Sequence, residues 1–376
     1  MKLRSLLCII LTITLAAAYP IGCVAETPTE QLSLSAKSAI LIDLEERQVL
    51  YQRNAYERLP MASTTKIVTA LAVCELLECD AIVKIPPEAV GIEGSSVYLK
   101  AGELLTVEEL LYALLLESAN DAATALAIAA AGSVEHFASK CNELSQGLGL
   151  KDTNFTNPHG LYDEEHYTTA YDLAILTAYA LKSPTIAEIC ASKRAEIPLG
   201  KTEENPHGEG VRYLKNHNKM LSRYNGAIGV KTGFTKKSGR CLVSAAERDG
   251  LTLIAVTLNA PDDWQDHTAM LDFGFKRFEY RKIYATGEFC YDFPLSGADV
   301  DAVSITNASP ISVLVRKGAP APDVSVECHF RFAVAPISEG QILGRLCVRT
   351  DGKEYRSSLI CKAPIAAKRK KHLIFN

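Results

Sequence analysis

The chain lacks the features of a nucleic-acid-binding protein and of a polytopic membrane protein. Its 40 lysines and arginines stand against 44 aspartates and glutamates, so the formal net charge is −4 and no overall excess of positive charge is offered to a nucleic acid. Only one stretch, at the N-terminus, resembles a membrane-directed segment, which excludes a polytopic membrane protein. The sequence also contains no internal repeat and no low-complexity segment.

Metal-binding spacings are absent as well. The 11 cysteines include no CxxC pair and no cysteine–histidine cluster at zinc spacing, so we predict no structural metal and no cofactor. Many of the cysteines, such as Cys74 and Cys241, lie in apolar strings, where we expect small buried hydrophobic side chains.

The composition that remains is that of a globular protein. Hydrophobic residues make up 48% of the chain and charged residues 22%, a balance that allows a large buried core and argues against wholesale disorder. The 376 residues are enough for two or three domains at the usual ~100–200 residues each.

The N-terminus has the order of a signal peptide. Lys2 and Arg4 precede an uncharged apolar run, and small residues lie just ahead of Glu26. We therefore expect residues 1–25 to be removed on export, which places the mature chain outside the cytoplasm, in the cell envelope. Two alternatives are less favoured: an uncleaved anchor, because the run is short for a bilayer, and a lipoprotein acylated on Cys23, because the preceding residues fit that cleavage site poorly.

The first 280 residues or so combine strand and helix patterns. Two short strands joined by a charged turn predict a hairpin at residues 39–51. Helical patterns follow at residues 64–77, 107–116, 121–131 and 171–181. Three strands and a further helix are then predicted at residues 227–231, 241–246, 251–258 and 266–278. The two ends of this block thus supply the strands of a sheet, and its middle supplies helices.

The sequence pattern changes after about residue 280. Short segments alternate apolar and polar residues between prolines and glycines, which predicts a small all-β domain at residues 283–364, after a first domain at residues 26–282. Residues 365–376 form a basic tail. A solvated segment is the default interpretation of such a tail, and weak peripheral attraction to an anionic membrane surface is the functional alternative.

One short motif holds a potential nucleophile and its base. Ser63 and Lys66, in an S-x-x-K sequence, fall at the start of the first long helix, where residues i and i+3 lie one above the other. A serine hydroxyl is a poor nucleophile until a base takes its proton, and a lysine of lowered pKa can serve as that base. Taken alone, the pair is better explained by an ordinary helix N-cap and a solvated lysine.

Two further motifs follow in order. Ser118 and Asn120 form S-x-N in the predicted break between two helices, and Lys231, Thr232 and Gly233 form K-T-G where a strand is predicted to end. A glycine there lets another backbone approach closely, so the lysine and the hydroxyl can face a cleft. Each motif alone is explained by a cap or a turn. The three motifs occur in this order, and each lies in the expected setting: a helix start, a break between two helices and a strand. Together they indicate the acyl-transfer site of penicillin-binding proteins and class A β-lactamases.

With these motifs the sequence resembles the low-molecular-mass penicillin-binding proteins that are serine D-Ala-D-Ala carboxypeptidases. Similar strings occur at residues 58–62, 157–161, 166–170, 216–218, 229–230 and 335–344. The resemblance covers roughly residues 35–359. It implies an α+β fold, with a β-lactamase/transpeptidase-like catalytic domain at residues 26–282, an antiparallel sheet flanked by helices, a helical subdomain, and the small all-β domain behind them.

The resemblance implies catalytic roles for the first two motifs. Ser63 would attack the carbonyl of the penultimate D-alanine of a peptidoglycan stem peptide, and Lys66 would accept its proton. Ser118 would relay a proton to the leaving amine, while Asn120 would hold the substrate amide and orient Lys66. The same chemistry makes β-lactam antibiotics inhibitors that acylate Ser63.

The third motif is implied to bind the substrate. Lys231 would supply positive potential and Thr232 would contact the terminal carboxylate, next to Gly233. The backbone N–H groups of Ser63 and Phe234 would form the oxyanion hole.

The sequence departs from the resemblance in two places. Some relatives bind the substrate carboxylate with an arginine beyond K-T-G, but residues 262–267 contain none, and His267 is the substitute we consider here. Many relatives also end in an amphipathic membrane helix, whereas a dozen residues follow Pro364, which leaves membrane attachment open.

The sequence argues against three other functions. A β-lactamase of class A needs a glutamate between the second and third motifs, and residues 154–158 contain no carboxylate. A non-catalytic penicillin-sensing or cell-wall-binding protein would not need the intact Ser63, Lys66 and Lys231. A Ser-His triad hydrolase is disfavoured because no serine lies in G-x-S-x-G, and we expect His159 and His166 to hold loops by hydrogen bonds.

Overall fold

A computed structural model describes residues 32–368 of the chain. The predicted signal peptide and residues 369–376 of the basic tail lie outside the described residues.

The first part of the described chain contains nine strands and eight helices, close to the expected pattern. The strands are β1 (Ser38–Asp43), β2 (Val49–Arg53), β3 (Ile82–Lys84), β4 (Leu104–Thr106), β5 (Arg194–Pro198), β6 (Val211–Lys215), β7 (Ala227–Thr235), β8 (Gly239–Arg248) and β9 (Leu251–Leu258). The helices are α1 (Lys66–Leu76), α2 (Val107–Leu116), α3 (Asn120–Ala131), α4 (Val134–Gly147), α5 (Ala170–Ala180), α6 (Pro184–Ala191), α7 (Met220–Arg223) and α8 (Asp263–Arg277).

The main sheet is antiparallel and has the strand order β2-β1-β9-β8-β7. Strands from the two ends of this part of the chain therefore lie side by side, as the sequence predicts. The sheet is covered on both faces, which explains why residues 39–42 of β1 are all apolar. Ile40 and Ile42 pack into the core shared with the helices of the middle segment, whereas Ala39 and Leu41 pack into the core that includes α8.

Local signals account for several helix ends. Thr106 and Glu109 form both hydrogen bonds of a capping box at the start of α2, as predicted. Gly132 ends α3 with a left-handed φ of 81°, which a glycine adopts without the steric cost of a side chain. The predicted break between α2 and α3 is confirmed, with Ser118 inside it.

The secondary structure around two of the three motifs differs in detail from the prediction. The α-helix begins at Lys66, and Ser63 lies before it in a separate 3₁₀ turn (Ala62–Thr65). The K-T-G residues do not end a strand, because β7 continues beyond them to Thr235 and pairs with β8 along this length. Tertiary contacts of both segments, described below, explain these differences.

The last part of the described chain is all-β, as predicted. Its strands are β10 (Phe278–Tyr284), β11 (Cys290–Pro294), β12 (Ala302–Asn307), β13 (Ile311–Arg316), β14 (Ser325–Phe330), β15 (Ile342–Thr350) and β16 (Lys353–Cys361). Five of them form an antiparallel sheet in the order β11-β12-β16-β15-β14, and β10 pairs with β13. A domain boundary at residue 282 would fall inside β10, where Lys282 pairs with Ser312, so we propose that the division lies nearer the start of that strand.

The turn between β1 and β2 joins the two parts through one carboxylate. Glu46 accepts hydrogen bonds from Lys353 Nζ at 2.5 Å, from the Tyr355 hydroxyl at 2.9 Å and from the Leu314 backbone N–H at 3.0 Å. Nearby, the Tyr280 hydroxyl donates to Asp43 at 2.7 Å. These contacts attach the β-domain to the sheet edge formed by the hairpin.

The cysteines of the described residues are free thiols, and five of the nine are buried, as their apolar surroundings predict. Cys74, Cys79 and Cys328 are only partly buried and Cys290 is exposed, contrary to that expectation. Within residues 32–368 no single helix is long and apolar enough to cross a membrane, and one bent pair, Ala170–Ala180 with Pro184–Ala191, passes by length and composition only.

Two buried histidines predict that the protein loses stability in mild acid. Burial lowers the pKa of His166 to about 4 and that of His267 to about 3, below the ~6.5 of an unfolded histidine. Between these values the unfolded chain binds protons that the folded chain does not. We therefore expect the free energy of unfolding to fall as the pH drops from about 6.5 to about 4, by up to ~1.4 kcal/mol per pH unit for each histidine.

Urea unfolding at several pH values measures this dependence, and His267→Gln provides the comparison. The variant should lose less stability than the wild type over the same pH range. Equal losses in the two proteins would show that His267 takes no part in the acid response.

Candidate active site

A cleft of about 380 Å³ lies between the 3₁₀ turn, the α2–α3 break and strand β7. Five of the predicted site residues line it: Ser63, Ser118, Thr232, Gly233 and Phe234. The other three predicted residues, Lys66, Asn120 and Lys231, are buried, with exposures of 0%, 4% and 1%. The structure thus places hydroxyl groups at the surface of the cleft and both lysines in the protein interior.

The turn that carries Ser63 is held from behind. Ala62 has a left-handed φ of 48°, a costly conformation for a residue with a side chain. The Thr65 hydroxyl donates to the Ala62 carbonyl at 2.8 Å, and His166 Nε2 lies 2.8 Å from the same hydroxyl. Since the Thr156 backbone N–H donates to His166 Nδ1, the neutral ring carries its proton on Nε2 and donates it to Thr65.

Gly160 allows the neighbouring loop to pack against this turn. A Cβ at Gly160 would lie 1.9 Å from the Ala62 carbonyl oxygen, and its φ is 86°. Only glycine fits so close an approach. The loop therefore packs directly on the 3₁₀ turn, and the Thr69 hydroxyl of α1 donates to the Pro158 carbonyl of the same loop at 2.6 Å.

The Lys66 amine is surrounded by three oxygen atoms. Its Nζ lies 3.1 Å from Ser63 Oγ, 2.7 Å from Asn120 Oδ1 and 2.7 Å from the His159 carbonyl oxygen. The three oxygens come from the 3₁₀ turn, the start of α3 and the loop after residue 157. Two of them, the amide and the backbone carbonyl, can only accept hydrogen bonds.

Burial makes the ammonium forms of both lysines stronger acids than usual, and the charge of Lys231 adds to this effect at Lys66. The pKa of Lys66 is lowered well below its usual value, first by burial and then by the nearby charge of Lys231. Burial lowers the pKa of Lys231 to about 7, and its Nζ donates to the Thr232 carbonyl at 2.9 Å. A lysine in this environment can exist as a neutral amine near neutral pH.

The α2–α3 break presents Ser118 and Asn120 to the cleft side of the helical segment. Ser118 has a left-handed φ of 60°, and Asn120 opens α3. Asn120 Nδ2 donates to the Glu93 carbonyl at 2.5 Å, which fixes the amide so that Oδ1 points to Lys66. Gly94 makes this possible, since a Cβ there would lie 2.8 Å from Asn120 Nδ2.

Strand β7 closes the other side of the cleft. A Cβ at Gly233 would come within 3.0 Å of the Ser63 backbone nitrogen, so the glycine lets the strand lie against the 3₁₀ turn. Phe234, next along the strand, is 65% exposed. This close contact, rather than a strand end, is the reason for a glycine in the K-T-G motif.

Two sequence expectations about the site need revision. His267 does not reach the cleft: it is fully buried on α8, where its Nε2 lies 2.9 Å from the Thr257 hydroxyl. Six further residues, which the sequence did not predict as site residues, also line the cleft: Ser95, His217, Lys219, Arg240, Asp263 and Trp264. For Arg240 a signal existed, since the turn after residue 235 sets a hairpin register that pairs Arg240 with Phe234.

Known proteins are similar to this chain over most of its length. The family model described as "D-alanyl-D-alanine carboxypeptidase" matches residues 25–262, and the one described as "Penicillin-binding protein 5, C-terminal domain" matches residues 278–371. The D-alanyl-D-alanine carboxypeptidase DacF of Bacillus subtilis (strain 168) is 35% identical over 349 residues, which cover 90% of this chain and 87% of the relative. DacC of Escherichia coli (strain K12), with the same description, is 30% identical and covers 89% of this chain and 85% of its own.

Solved structures agree with these matches. Penicillin-binding protein 5 from Haemophilus influenzae superposes with a TM-score of 0.65 at 25% identity, over 89% of this chain and 99% of that one. The Streptomyces K15 DD-transpeptidase superposes with a TM-score of 0.61 at 32% identity, over 65% of this chain and 98% of that one. By sequence and by fold, the chain belongs to the D-alanyl-D-alanine carboxypeptidase family of low-molecular-mass penicillin-binding proteins.

Proposed function

We propose that the chain is a serine D-Ala-D-Ala carboxypeptidase that removes the terminal D-alanine of peptidoglycan pentapeptides through an acyl-enzyme on Ser63. One observation carries the assignment of the nucleophile: the buried Lys66 amine lies 3.1 Å from Ser63 Oγ. Membership of the family supports the reaction, and a substrate in the cell wall fits the predicted export of the chain.

The contacts of Lys66 define the direction of the first proton transfer. A neutral amine has two N–H donors and one lone pair. Asn120 Oδ1 and the His159 carbonyl take the two donors, because neither oxygen can donate. The lone pair then faces the Ser63 hydroxyl, which is the one group of the three that carries a proton. Lys66 therefore accepts that proton as Ser63 Oγ bonds to the substrate carbonyl carbon.

The remaining steps use the other side of the cleft. The backbone N–H groups of Ser63 and Phe234 stabilise the negative oxygen of the tetrahedral intermediate, and a lost donor of this kind typically costs ~10²–10³ in rate. Ser118 passes the proton held by Lys66 to the leaving nitrogen as the C–N bond breaks and D-alanine departs. A water molecule then attacks the ester, Lys66 takes its proton, and Ser63 is regenerated.

The cleft favours this function over that of a class A β-lactamase. Among the lining residues the only carboxylate is that of Asp263, whose Oδ1 is paired with Arg240 Nη2 at 2.9 Å. Residues 154–158, the stretch in which a class A enzyme would carry the glutamate that activates the deacylating water, contain no carboxylate, and Lys66 Nζ contacts the backbone carbonyl of the nearby His159 at 2.7 Å. Without such a base, a penicillin should acylate Ser63 and remain attached.

The first prediction concerns the nucleophile. A labelled penicillin should form one long-lived adduct, and peptide mapping by mass spectrometry should locate it on Ser63, because Lys66 activates that hydroxyl alone. Ser63→Ala should give no adduct while its melting temperature stays close to that of the wild type. An adduct on another residue, or rapid release of the wild-type adduct, would contradict the assignment.

The second prediction separates the two lysines. Lys66→Arg should lose about 10²–10⁴ in acylation rate, the usual contribution of a general base, because a guanidinium keeps its proton. Lys231→Arg keeps a positive charge and should retain a larger share of the acylation rate while binding substrate less well. The measurement is the acylation rate of each variant across pH, with folding checked by circular dichroism. Equal rates in the two variants would remove Lys66 from the role of base.

The third prediction tests the neutral state of Lys66. Asn120→Asp places a carboxylate 2.7 Å from Nζ in a position of the same shape, and an opposite charge favours the protonated amine. The rise of acylation rate with pH should therefore move to higher pH, and the rate at pH 7 should fall by at least about 10-fold. Asn120→Ala is the matched control: it should slow acylation without the same move in pH. Identical pH profiles for the two variants would contradict this mechanism.

A further inference from the structure

Asp121, the second residue of α3, is a buried carboxylic acid that the mechanism above does not use. It is 1% exposed and directly follows Asn120, whose Oδ1 lies 2.7 Å from Lys66 Nζ. A buried charge is costly unless hydrogen bonds satisfy it, so the partners of this side chain indicate what it stabilises.

Four hydrogen bonds reach the Asp121 side chain, and three of them come from residues 96–99. The Ser96 hydroxyl and the Leu99 backbone N–H donate to Oδ2 at 2.6 and 3.0 Å. The Val97 N–H donates to Oδ1 at 3.3 Å, and the Ala122 N–H of α3 donates to the same oxygen at 2.9 Å. Both oxygens thus accept from backbone N–H groups, which can only donate, and this is the pattern of an ionised carboxylate.

The chain just before these residues forms one side of the cleft. Ser95 lines the cleft, and its carbonyl accepts a hydrogen bond from the Asn120 backbone N–H at 2.7 Å. The Glu93 carbonyl accepts a second one from the Asn120 side chain. We call residues 93–99 the wall segment. Asn120 binds it through carbonyl groups and Asp121 binds it through N–H and O–H groups, so two successive residues of α3 hold the whole segment.

Tyr98 shows that these hydrogen bonds impose the conformation of the wall segment. It has a left-handed φ of 58°, which is costly for a residue with a side chain, and it is 84% exposed. Its own side chain therefore contributes little packing to offset the strain. Its N–H donates at 2.9 Å to the Ser96 hydroxyl, which in turn donates to Asp121. The carboxylate and its network thus hold the strained residue in place.

The charge of Asp121 also acts on the general base. The pKa of Lys66 is lowered first by burial and then by the charge of Lys231, and the charge of Asp121 opposes both effects. An anion near an amine favours the protonated form. Removal of this one charge should therefore make Lys66 lose its proton at a lower pH than in the wild type.

The other ionisable groups around the two lysines are neutral at neutral pH. Burial lowers the pKa of His159 to about 3 and that of His166 to about 4, so neither ring is protonated. Burial raises the pKa of Cys190, which faces Lys231, to about 12, so it remains a thiol. The charges that act on Lys66 near neutral pH are thus those of Lys231 and Asp121.

We propose that Asp121 is a positioning residue for the reaction: its carboxylate holds the wall segment against Asn120 and supplies a negative charge near Lys66. The proposal rests on the function proposed above and adds a residue that touches no substrate. Its replacement should change both the acylation rate and the pH dependence of that rate, and variants that separate shape from charge should separate the two effects.

The test measures the rate of acylation by a labelled penicillin across pH. Asp121→Asn keeps the shape and removes the charge, and whichever way the amide is turned its NH₂ group faces a backbone N–H. The rate should fall by about 10-fold or more, the usual value of a hydrogen bond to a charged group. The pH of half-maximal rate should also move down. Asp121→Glu keeps the charge but displaces the carboxylate, so it should be slow with a half-maximal pH near that of the wild type.

Ser96→Ala is the matched control, because it removes a neutral partner of the carboxylate and leaves every charge in place. It should acylate about 3- to 10-fold more slowly than the wild type, at an unchanged half-maximal pH. Hydrogen exchange of residues 96–99 should be faster in Ser96→Ala and in Asp121→Asn, a readout that needs no activity. We expect the variants to fold, because Arg212 Nε still donates to the Val97 carbonyl at 3.0 Å from the other side.

Three results would overturn the role of Asp121. The first is a wild-type rate, or a wild-type half-maximal pH, in Asp121→Asn. The second is a downward move of this pH in Asp121→Glu as large as in Asp121→Asn. The third, which decides the question even if Asp121→Asn does not fold, is a wild-type rate and wild-type hydrogen exchange in Ser96→Ala. A wild-type chain that forms no penicillin adduct overturns the proposed function instead, whereas an active wild type with unaffected variants overturns only this assignment.

Discussion

The burial of Lys66 is the constraint on which the site depends. Its side chain has no exposed surface, and its amine meets oxygens from the Ser63 turn, from Asn120 at the start of α3 and from the carbonyl of His159. A buried polar group without partners costs several kcal/mol, roughly 2–7 depending on the reference state. The turn, the helix and the loop must therefore hold their positions at the same time, and the rest of the helical segment serves to hold them.

The surroundings of this lysine also carry conformational strain. Ala62 and Ser118, next to the nucleophile and in the α2–α3 break, both have left-handed φ values, each typically costing ~1–3 kcal/mol. Packing offsets this cost: Thr65 and His166 secure the first position, and the Asn120 side chain, bonded to the Glu93 carbonyl, secures the helix that follows the second. The strained residues thus lie beside the cleft, and hydrogen-bonded contacts surround them.

Local patterns predicted much of this fold, whereas contacts across the chain determined the rest. The capping box at Thr106 and the glycine end of α3 depend on neighbours within a few residues, so the sequence predicts them well. The 3₁₀ turn before Lys66 depends on a loop nearly a hundred residues away, and no local pattern contains it. His267 shows the same limit. It follows Asp263, which lines the cleft, by one helical turn, ~5.4 Å along the axis of α8. At that distance its side chain is fully buried and does not reach the cleft.

Exposure explains how lysines of lowered pKa and a guanidinium can lie around one cleft. Lys66 and Lys231 are buried, and the loss of water lowers the pKa of both because it disfavours the ammonium form. The charge of Lys231 lowers the pKa of Lys66 further. Arg240 lies at the open side, where its guanidinium is paired with Asp263 and lies beside the Trp264 ring. An arginine in the interior could not release its proton, and a lysine at the rim would lose the planar fork. Residue type and depth below the surface therefore have to agree at each position, because burial favours the neutral form of a lysine and an exposed position keeps a guanidinium hydrated.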